Sequence, residues 1–329
     1  EKCKQNNLDM KQITQSLKAQ LITLVLLCVS MSAMADENGV LIDGVYYNLR
    51  NSWYYECYDV NGNYQGGQYV NNAAIVTYNP DTEVNNPGSV ETYSGDIQIP
   101  ATVTYNGIDY SVVCVESYAF ANCRSLTSVQ LPSIILEIRS YVFRYCTSLT
   151  SVSMPGVERL YARIFENNAI TSVFLPKSLK LIASDTFEGS NLTSITVDAD
   201  NSAFTSVDGV LYDKSVTTIA AFPRRKSGTY TIPATITTIK QYSFPNDVVL
   251  DELIIPATVT KIESYAFRNY PQIKTLTIED SENELVIGQG SNSYTSLTDE
   301  FGNRQYIYPM FRYIEELYWG RNLKFSSTY

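Results

Sequence analysis

LPSIILEIRSYVFRYCTSLTSVSMP, from Leu131 to Pro155, holds one whole structural unit: a proline turn, a Tyr-X-Phe stretch, an apolar strand and the next proline. The same order returns in IPATVTKIESYAFRNYPQIKTLTI, from Ile255 to Ile278. Phenylalanines mark the unit at Phe120, Phe143, Phe165, Phe187, Phe244 and Phe267, in steps of 23, 22, 22, 57 and 23 residues. A period of 22 or 23 lies in the range of leucine-rich repeats. One such unit cannot bury its own apolar face, whereas stacked units can, and they present an extended surface suited to gripping another macromolecule.

Within a unit, Leu126-Thr-Ser-Val129-Gln-Leu131 alternates apolar and polar residues. Period two puts Val129 and Leu131 in the core and Ser128 and Gln130 on the outer face of a strand. The same register recurs at Leu149/Val152/Met154, Ile170/Val173/Leu175, Leu192/Ile195/Val197, Leu250/Leu253/Ile255 and Ile273/Leu276/Ile278. The β-branched and Thr-rich composition suits parallel strands stacked on one another. Pro132, Pro155, Pro176, Pro233 and Pro256 follow the strands, where a residue without an N–H ends the ladder and turns the chain. The return stretch, through Ile138, Tyr141 and Phe143 or Ile262, Tyr265 and Phe267, is too short for a long helix. A single helical or 3-10 turn is expected there, with the phenylalanine filling the space beneath the strands.

The step of 57 exceeds the period by 34 residues, so an insertion is expected between Asp198 and Pro233, centred on a hairpin at about 198–230. Asp208-Gly209 between Phe204-Thr-Ser-Val207 and Val210-Leu-Tyr212 carries the hairpin signal. Residues 36–98 are rich in Tyr, Asn and Gly, with turn cues at Asn61-Gly62 and Pro87-Gly88. They are expected to form a small antiparallel β element covering the open end of the stack, which occupies 99–329.

The first 35 residues read differently. From Met10, a basic stretch with Lys11 and Lys18, an apolar run from Leu21 to Val29 and Ala33-Met34-Ala35 form the pattern of a secretory signal peptide, 10–35. Residues 1–9 then read as upstream read-through, and the repeats are expected to run on past Tyr329. The whole chain has 24 basic and 34 acidic residues, and without the leader 20 and 32. An acidic exported chain is a poor partner for nucleic acid, and no apolar run after the leader is long enough to span a membrane. Cys57, Cys114, Cys123 and Cys146 remain, with Cys123 and Cys146 in the same repeat slot. An oxidising compartment permits a disulfide between them, while Asn168, Ser190 and Tyr270 in that slot elsewhere point to packed thiols.

YAFANCRSLTSV, the proline after each strand and the SVDGVLYDK hairpin together resemble the BspA-like leucine-rich-repeat proteins, abundant on the surface of Bacteroidetes and related bacteria. The resemblance covers nearly all of the chain after the leader. It implies a β-dominated α/β-type repeat solenoid, right-handed, with a concave parallel sheet. It also implies export to the cell surface and adhesive roles toward host matrix proteins or other bacteria. Phe165-Glu-Asn-Asn168 lacks the repeat cysteine, and Tyr242-Ser-Phe244-Pro245 alters the turn, which disturbs regularity locally.

Little in the chain suits catalysis. It contains no histidine, which removes Ser-His-Asp and Cys-His arrangements and His-ligated zinc. There is no C-x-x-C, P-loop or GxGxxG, so no cofactor is expected. Asp198/Asp200 and Glu315/Glu316 fit solvated turns better than acid–base pairs. The loops around Asp198 and Asp59 lack the twelfth-position glutamate of an EF-hand. The candidate binding residues therefore lie on the outer sheet face: Ser172, Phe174, Thr196, Glu252, Ile254 and Tyr318. Phe174 and Ile254 are apolar groups aimed outward among hydroxyls, and exposed aromatics on a rigid scaffold anchor protein contacts. A binding protein for an extracellular protein or glycan is the leading reading. A structural spacer is the second, and a glycan-directed protein, from the 26 tyrosines with Trp53 and Trp319, is the third.

Overall fold

The structure is a computed structural model that describes residues 37–59, 63–81, 90–267, 271–288, 295–298, 304–307 and 313–325. The leader and the turn cues at Asn61-Gly62 and Pro87-Gly88 lie outside the described residues, as does Tyr270. Each repeat contributes two strands to two parallel ladders. The first ladder runs through Gly95–Gln98, Leu126–Gln130 and Ser151–Ser153, and then through the pair Ser172–Leu175 and Ser194–Val197. It resumes as a four-stranded parallel sheet of Thr229–Thr231, Val249–Ile255, Gln272–Ile278 and Glu316–Trp319. The second ladder uses two- and three-residue strands such as Glu137–Ile138, Arg159–Leu160, Lys261–Ile262 and Leu285–Ile287.

The expected helical or 3-10 turns do not form, and the described residues contain no helix. Two features of the return stretch explain this. First, alternate N–H groups bond to the neighbouring repeat, and only those between them close single turns onto the carbonyl three residues back, as Arg144 does onto Tyr141. Tyr141 N–H donates to the Ala162 carbonyl at 3.0 Å, Phe143 to Ile164 at 3.0 Å and Tyr145 to Glu166 at 2.9 Å. Second, left-handed residues flank the phenylalanine: Tyr118, Tyr141, Tyr242 and Tyr265 before it, Asn122, Tyr145 and Asn167 after it. A residue with φ near 60° interrupts the right-handed path after one turn. The stretch therefore lies flat and continues the stack's hydrogen bonding on its far side. At the strand ends, Pro132, Pro176, Pro233 and Pro256 accept from the N–H three residues on, closing the turns that their missing donors allow.

The phenylalanines form a buried ring ladder. Tyr93, Phe120, Phe143, Phe165 and Phe187 follow at centroid spacings of 4.9, 5.5, 5.8 and 6.2 Å. A second series runs Phe222, Phe244, Phe267 at 4.8 and 4.4 Å. Phe222 thus fills a repeat slot inside the long step, and Thr229–Thr231 is already a rung of the first ladder. What separates the two series is the antiparallel hairpin Phe204–Val207/Val210–Asp213, joined by Ile219–Ala221. The core divides at the same place into two apolar clusters.

At the other end, β1 (Glu37–Ile42), β2 (Val45–Tyr58) and β3 (Tyr64–Thr77) form an antiparallel meander. β3 then pairs in parallel with Ile108–Val115, which leads the second ladder. Arg159, paired with buried Glu137 inside the repeats, fastens this ribbon to them. Arg159 sits 2.7 Å from Glu137, bonds the Glu56 carbonyl and lies over the Tyr58 ring at 5.0 Å. Burial pushes the Glu137 carboxyl up and the Arg159 charge opposes that shift.

Cys123 and Cys146 are buried free thiols. The Tyr93 N–H donates to Cys123 Sγ at 3.3 Å, and the Cys146 thiol donates to the Phe120 carbonyl at 2.9 Å. They pack and satisfy backbone groups between rungs.

Candidate functional site

Parallel pairing in register turns each outward position into a row. On the four-stranded sheet, Thr231, Ile254, Thr277 and Tyr318 stand in one row, and Thr229, Glu252, Thr275 and Glu316 in the next. Thr277 Oγ1 links the two rows by donating to Glu252 Oε1 at 2.8 Å, and Thr275 Oγ1 donates along its own row to Glu316 Oε2 at 3.5 Å. Ile254 and Glu252 are half-buried between hydroxyl neighbours, while Tyr318 is 59% exposed. Beneath them Leu253 and Leu276 are buried, so the face rides on a packed core.

Tyr318 also borders an open groove lined by Thr277, Ile278, Glu279, Asp280, Leu317, Trp319 and Gly320. Strict alternation would turn Trp319 inward, yet it is 61% exposed. Gly320 explains part of this local geometry. A Cβ there would collide with Asp280, so only glycine lets the chain pass so close to the preceding rung.

Ser172, Phe174 and Thr196 belong to a different sheet. Ser172 pairs with Ser194 and Phe174 with Thr196, all on Ser172–Leu175 and Ser194–Val197. Phe174 is 55% exposed. The hairpin tip lies against the far edge of this pair, where Ile195 N–H donates to the Gly209 carbonyl at 2.8 Å. A Cβ on Gly209 would press on Ser194 Oγ at 2.8 Å. Lys226 holds the tip by bonding both the carbonyl and the carboxylate of Asp208 at 2.8 Å. Phe174 and Ile254 therefore do not share a sheet: the inserted hairpin stands between them, and the candidate residues fall into two groups.

The acidic loops are explained by turn chemistry. Asp59 Oδ1 accepts from the Asn63 N–H at 2.9 Å, and Asp198 Oδ1 from the Asp200 N–H at 2.9 Å. Asn201 is buried and makes a bracket. Its Nδ2 donates to the Pro176 and Leu179 carbonyls at 2.8 and 2.9 Å, and its Oδ1 accepts from Ala203 and Phe204 at 2.8 and 2.7 Å. Asp213 similarly accepts from the Thr217 and Thr218 N–H groups, and its carboxyl lies below its ordinary value, with burial opposing the hydrogen bonds that hold it down. Among the described residues no group of three or more Cys, Asp or Glu could hold a metal ion, and no helix is long and apolar enough to cross a membrane.

One group of exposed residues was not singled out from the sequence. Tyr54, Tyr64 and Tyr69 stand together on the outer half of the β2–β3 ribbon. The only advance signal was the Tyr/Asn/Gly composition of the segment.

The sequence matches the BspA type leucine-rich-repeat region in six copies, over residues 102–214 and 217–301. The chain belongs to that family. Several solved bacterial structures are similar to it. The pneumococcal vaccine antigen PcpA is 16% identical with a TM-score of 0.44, over 89% of this chain and 100% of that one. A leucine-rich-repeat protein of Eubacterium ventriosum is 16% identical with a TM-score of 0.43, over 90% and 96%. A leucine-rich cell surface protein of Faecalibacterium prausnitzii is 17% identical with a TM-score of 0.36, over 89% and 96%. Among curated proteins, none matches.

Proposed function

We propose that this chain is an exported cell-surface binding protein without catalytic activity, its repeats coiled as a right-handed solenoid. Its first-ladder face, concave in that arrangement, holds a macromolecular partner. The observation that carries this reading is the paired rows Thr231–Ile254–Thr277–Tyr318 and Thr229–Glu252–Thr275–Glu316 on one four-stranded sheet. A hydrogen-bonded ladder fixes these side chains before any partner arrives, so little ordering entropy remains to be lost on binding. Tyr318 supplies a large amphipathic anchor, Ile254 apolar contact and the threonines adaptable hydrogen bonds. Glu252, Glu316, Glu279 and Asp280 make the face acidic, which suits a partner bearing basic groups.

Ser172, Phe174 and Thr196 form a second, smaller patch that the same partner could reach only across the hairpin. The leader pattern of residues 10–35 supports export, with Asp36 as the first residue of the mature chain. The experiment is an immobilised panel of extracellular matrix proteins probed with the protein lacking its leader. It is followed by the Tyr318→Ala and Ile254→Ala variants against any protein retained. Binding that survives both substitutions unchanged places the partner elsewhere on the molecule.

A further inference from the structure

We propose that the outer half of the β2–β3 ribbon is a carbohydrate site, a tyrosine platform that takes a neutral oligosaccharide. The ribbon's inner half is core: Tyr47, Leu49, Ala74 and Val76 are buried. Its outer half leaves the core on one face only. Tyr54 stands directly opposite Tyr69, Glu56 opposite Gly67, and Tyr58 opposite Tyr64. Tyr54, Tyr64 and Tyr69 are 42%, 56% and 72% exposed. They form one cluster, with the Tyr54 and Tyr69 centroids 5.0 Å apart and the Tyr54 and Tyr64 hydroxyls 2.9 Å apart.

Gly67 shapes the platform. A Cβ at that position would collide with the Tyr54 ring, so the ring lies down across the glycine backbone. The ring rests on the ribbon over Gly67, with Tyr69 tilted against it, and Tyr54 is 42% exposed. The opposite side of the ribbon is held. Trp53 and Tyr55 stack there at 5.7 Å, and Trp53 packs with Ala73, Ile75, Val113 and Cys114. Arg159 grips the Glu56 carbonyl from the repeats. The tyrosines are thus presented on a braced support.

The chemistry around them selects the occupant. Asn63, Gln65 and Asn71 are exposed neighbours, all neutral amides; Asn63 and Gln65 donate to the Asp59 carboxylate, and Asn71 lies on the same face of the strand as Tyr69. A tyrosine face is electron-rich and attracts the polarised C–H groups of a sugar ring, while hydroxyls and amides exchange hydrogen bonds with sugar hydroxyls. Glu56 and Asp59 flank the cluster on a chain of formal charge −10, which disfavours sulfated or uronic-acid glycans. Hydrogen bonding with Tyr64 first, and burial second, push the Tyr54 hydroxyl up to about 12, so it stays a neutral donor at physiological pH.

The test is calorimetric titration of the full chain with cello-, malto-, chito- and manno-oligosaccharides at millimolar concentration, with a heparin oligosaccharide as the sulfated control. Binding of at least one neutral probe is expected, and weaker binding of heparin. Tyr64→Ala and Tyr69→Ala should each weaken the neutral probe about tenfold. Tyr69→Phe should keep most of the affinity and Tyr318→Ala all of it. Both tyrosines are exposed, and an unchanged circular-dichroism melt verifies the fold of each variant. No binding of any neutral probe overturns the proposal, as does full affinity in the Tyr64→Ala/Tyr69→Ala protein or preference for heparin. Loss on Tyr318→Ala instead would move glycan binding to the sheet face. A matrix-protein partner lost on Tyr64→Ala/Tyr69→Ala, with no sugar bound, would overturn the carbohydrate assignment and the sheet-face reading together.

Discussion

Phe222 and Phe244 lie ring against ring, 4.8 Å between centroids, one repeat apart in the chain. Phe222 is buried although its neighbours, Ala221 and Pro223, do not carry the motif seen around the other phenylalanines. It opens the second ring series just after the hairpin, where the apolar core divides. Phe222→Ala should therefore cost about 3–5 kcal/mol, the same range as Phe143→Ala. Because repeats couple chiefly to their neighbours, hydrogen exchange should rise first around Val249–Ile255 and leave Leu126–Gln130 protected. Equal loss of protection across the whole chain would contradict a stack with two core segments.

The left-handed residues of the return stretch make a prediction at Asn167, which is exposed with φ of 53° and donates its N–H to the Gly189 carbonyl at 3.0 Å. Asn167→Gly should leave stability nearly unchanged. Asn167→Val should lower it by about 1–2 kcal/mol, because a β-branched residue resists that conformation. Matching urea midpoints for the two variants would show that the backbone there is right-handed and that the missing helical turns need another cause.

Asn201→Ala removes this bracket from a buried position and takes the side-chain partner from the Leu179 carbonyl and from the Ala203 and Phe204 N–H groups, between the stack and the hairpin. A loss of about 2–4 kcal/mol is expected in thermal or urea unfolding. Asn201→Asp should recover little of it, since the two donated bonds need the amide. A loss under half a kcal/mol would mean that the hairpin is not fastened through this side chain.

The strand ladder was legible in advance because each strand writes itself as aliphatic residues alternating with polar ones, and Val129/Leu131 or Leu253/Ile255 do so plainly. The ring ladder was legible wherever Tyr-X-Phe kept its company. Phe222 was not, since the hairpin replaces the residues around it. Nor was the second ladder: strands of two residues, such as Arg159–Leu160, are too short to show any period. Tyrosine is not a signal for left-handed backbone, so Tyr141 and Tyr145 gave no warning that a helical turn was barred. Of the candidate site, the outward register of Glu252, Ile254 and Tyr318 could be read strand by strand. Their division from Ser172, Phe174 and Thr196 could not, because it depends on where the hairpin docks.

Burial pushes the thiols of Cys114 and Cys146 well up from their ordinary range and raises that of Cys123. A thiol held protonated in the fold but ionising at its ordinary value, about 8.5, once unfolded stabilises the fold below that pH and loses that contribution above it. Stability should thus fall as pH rises beyond about 8.5, and less steeply in a Cys114→Ala protein. Alkylation by iodoacetamide should spare all three in the native state and label them in urea. Rapid native labelling of Cys114 would place it outside the core, and thiols that resist alkylation even in urea would indicate a disulfide.

If the rows on the four-stranded sheet hold the partner, affinity must fall when their anchors are truncated. With a matrix protein retained from the panel, surface plasmon resonance would compare Tyr318→Ala and Ile254→Ala with Ser151→Ala, an exposed hydroxyl two repeats before the hairpin. Tyr318→Ala should lose at least about 2 kcal/mol, roughly thirtyfold, Ile254→Ala less and Ser151→Ala almost nothing. Identical affinities for all three folded variants would contradict a partner held on these rows.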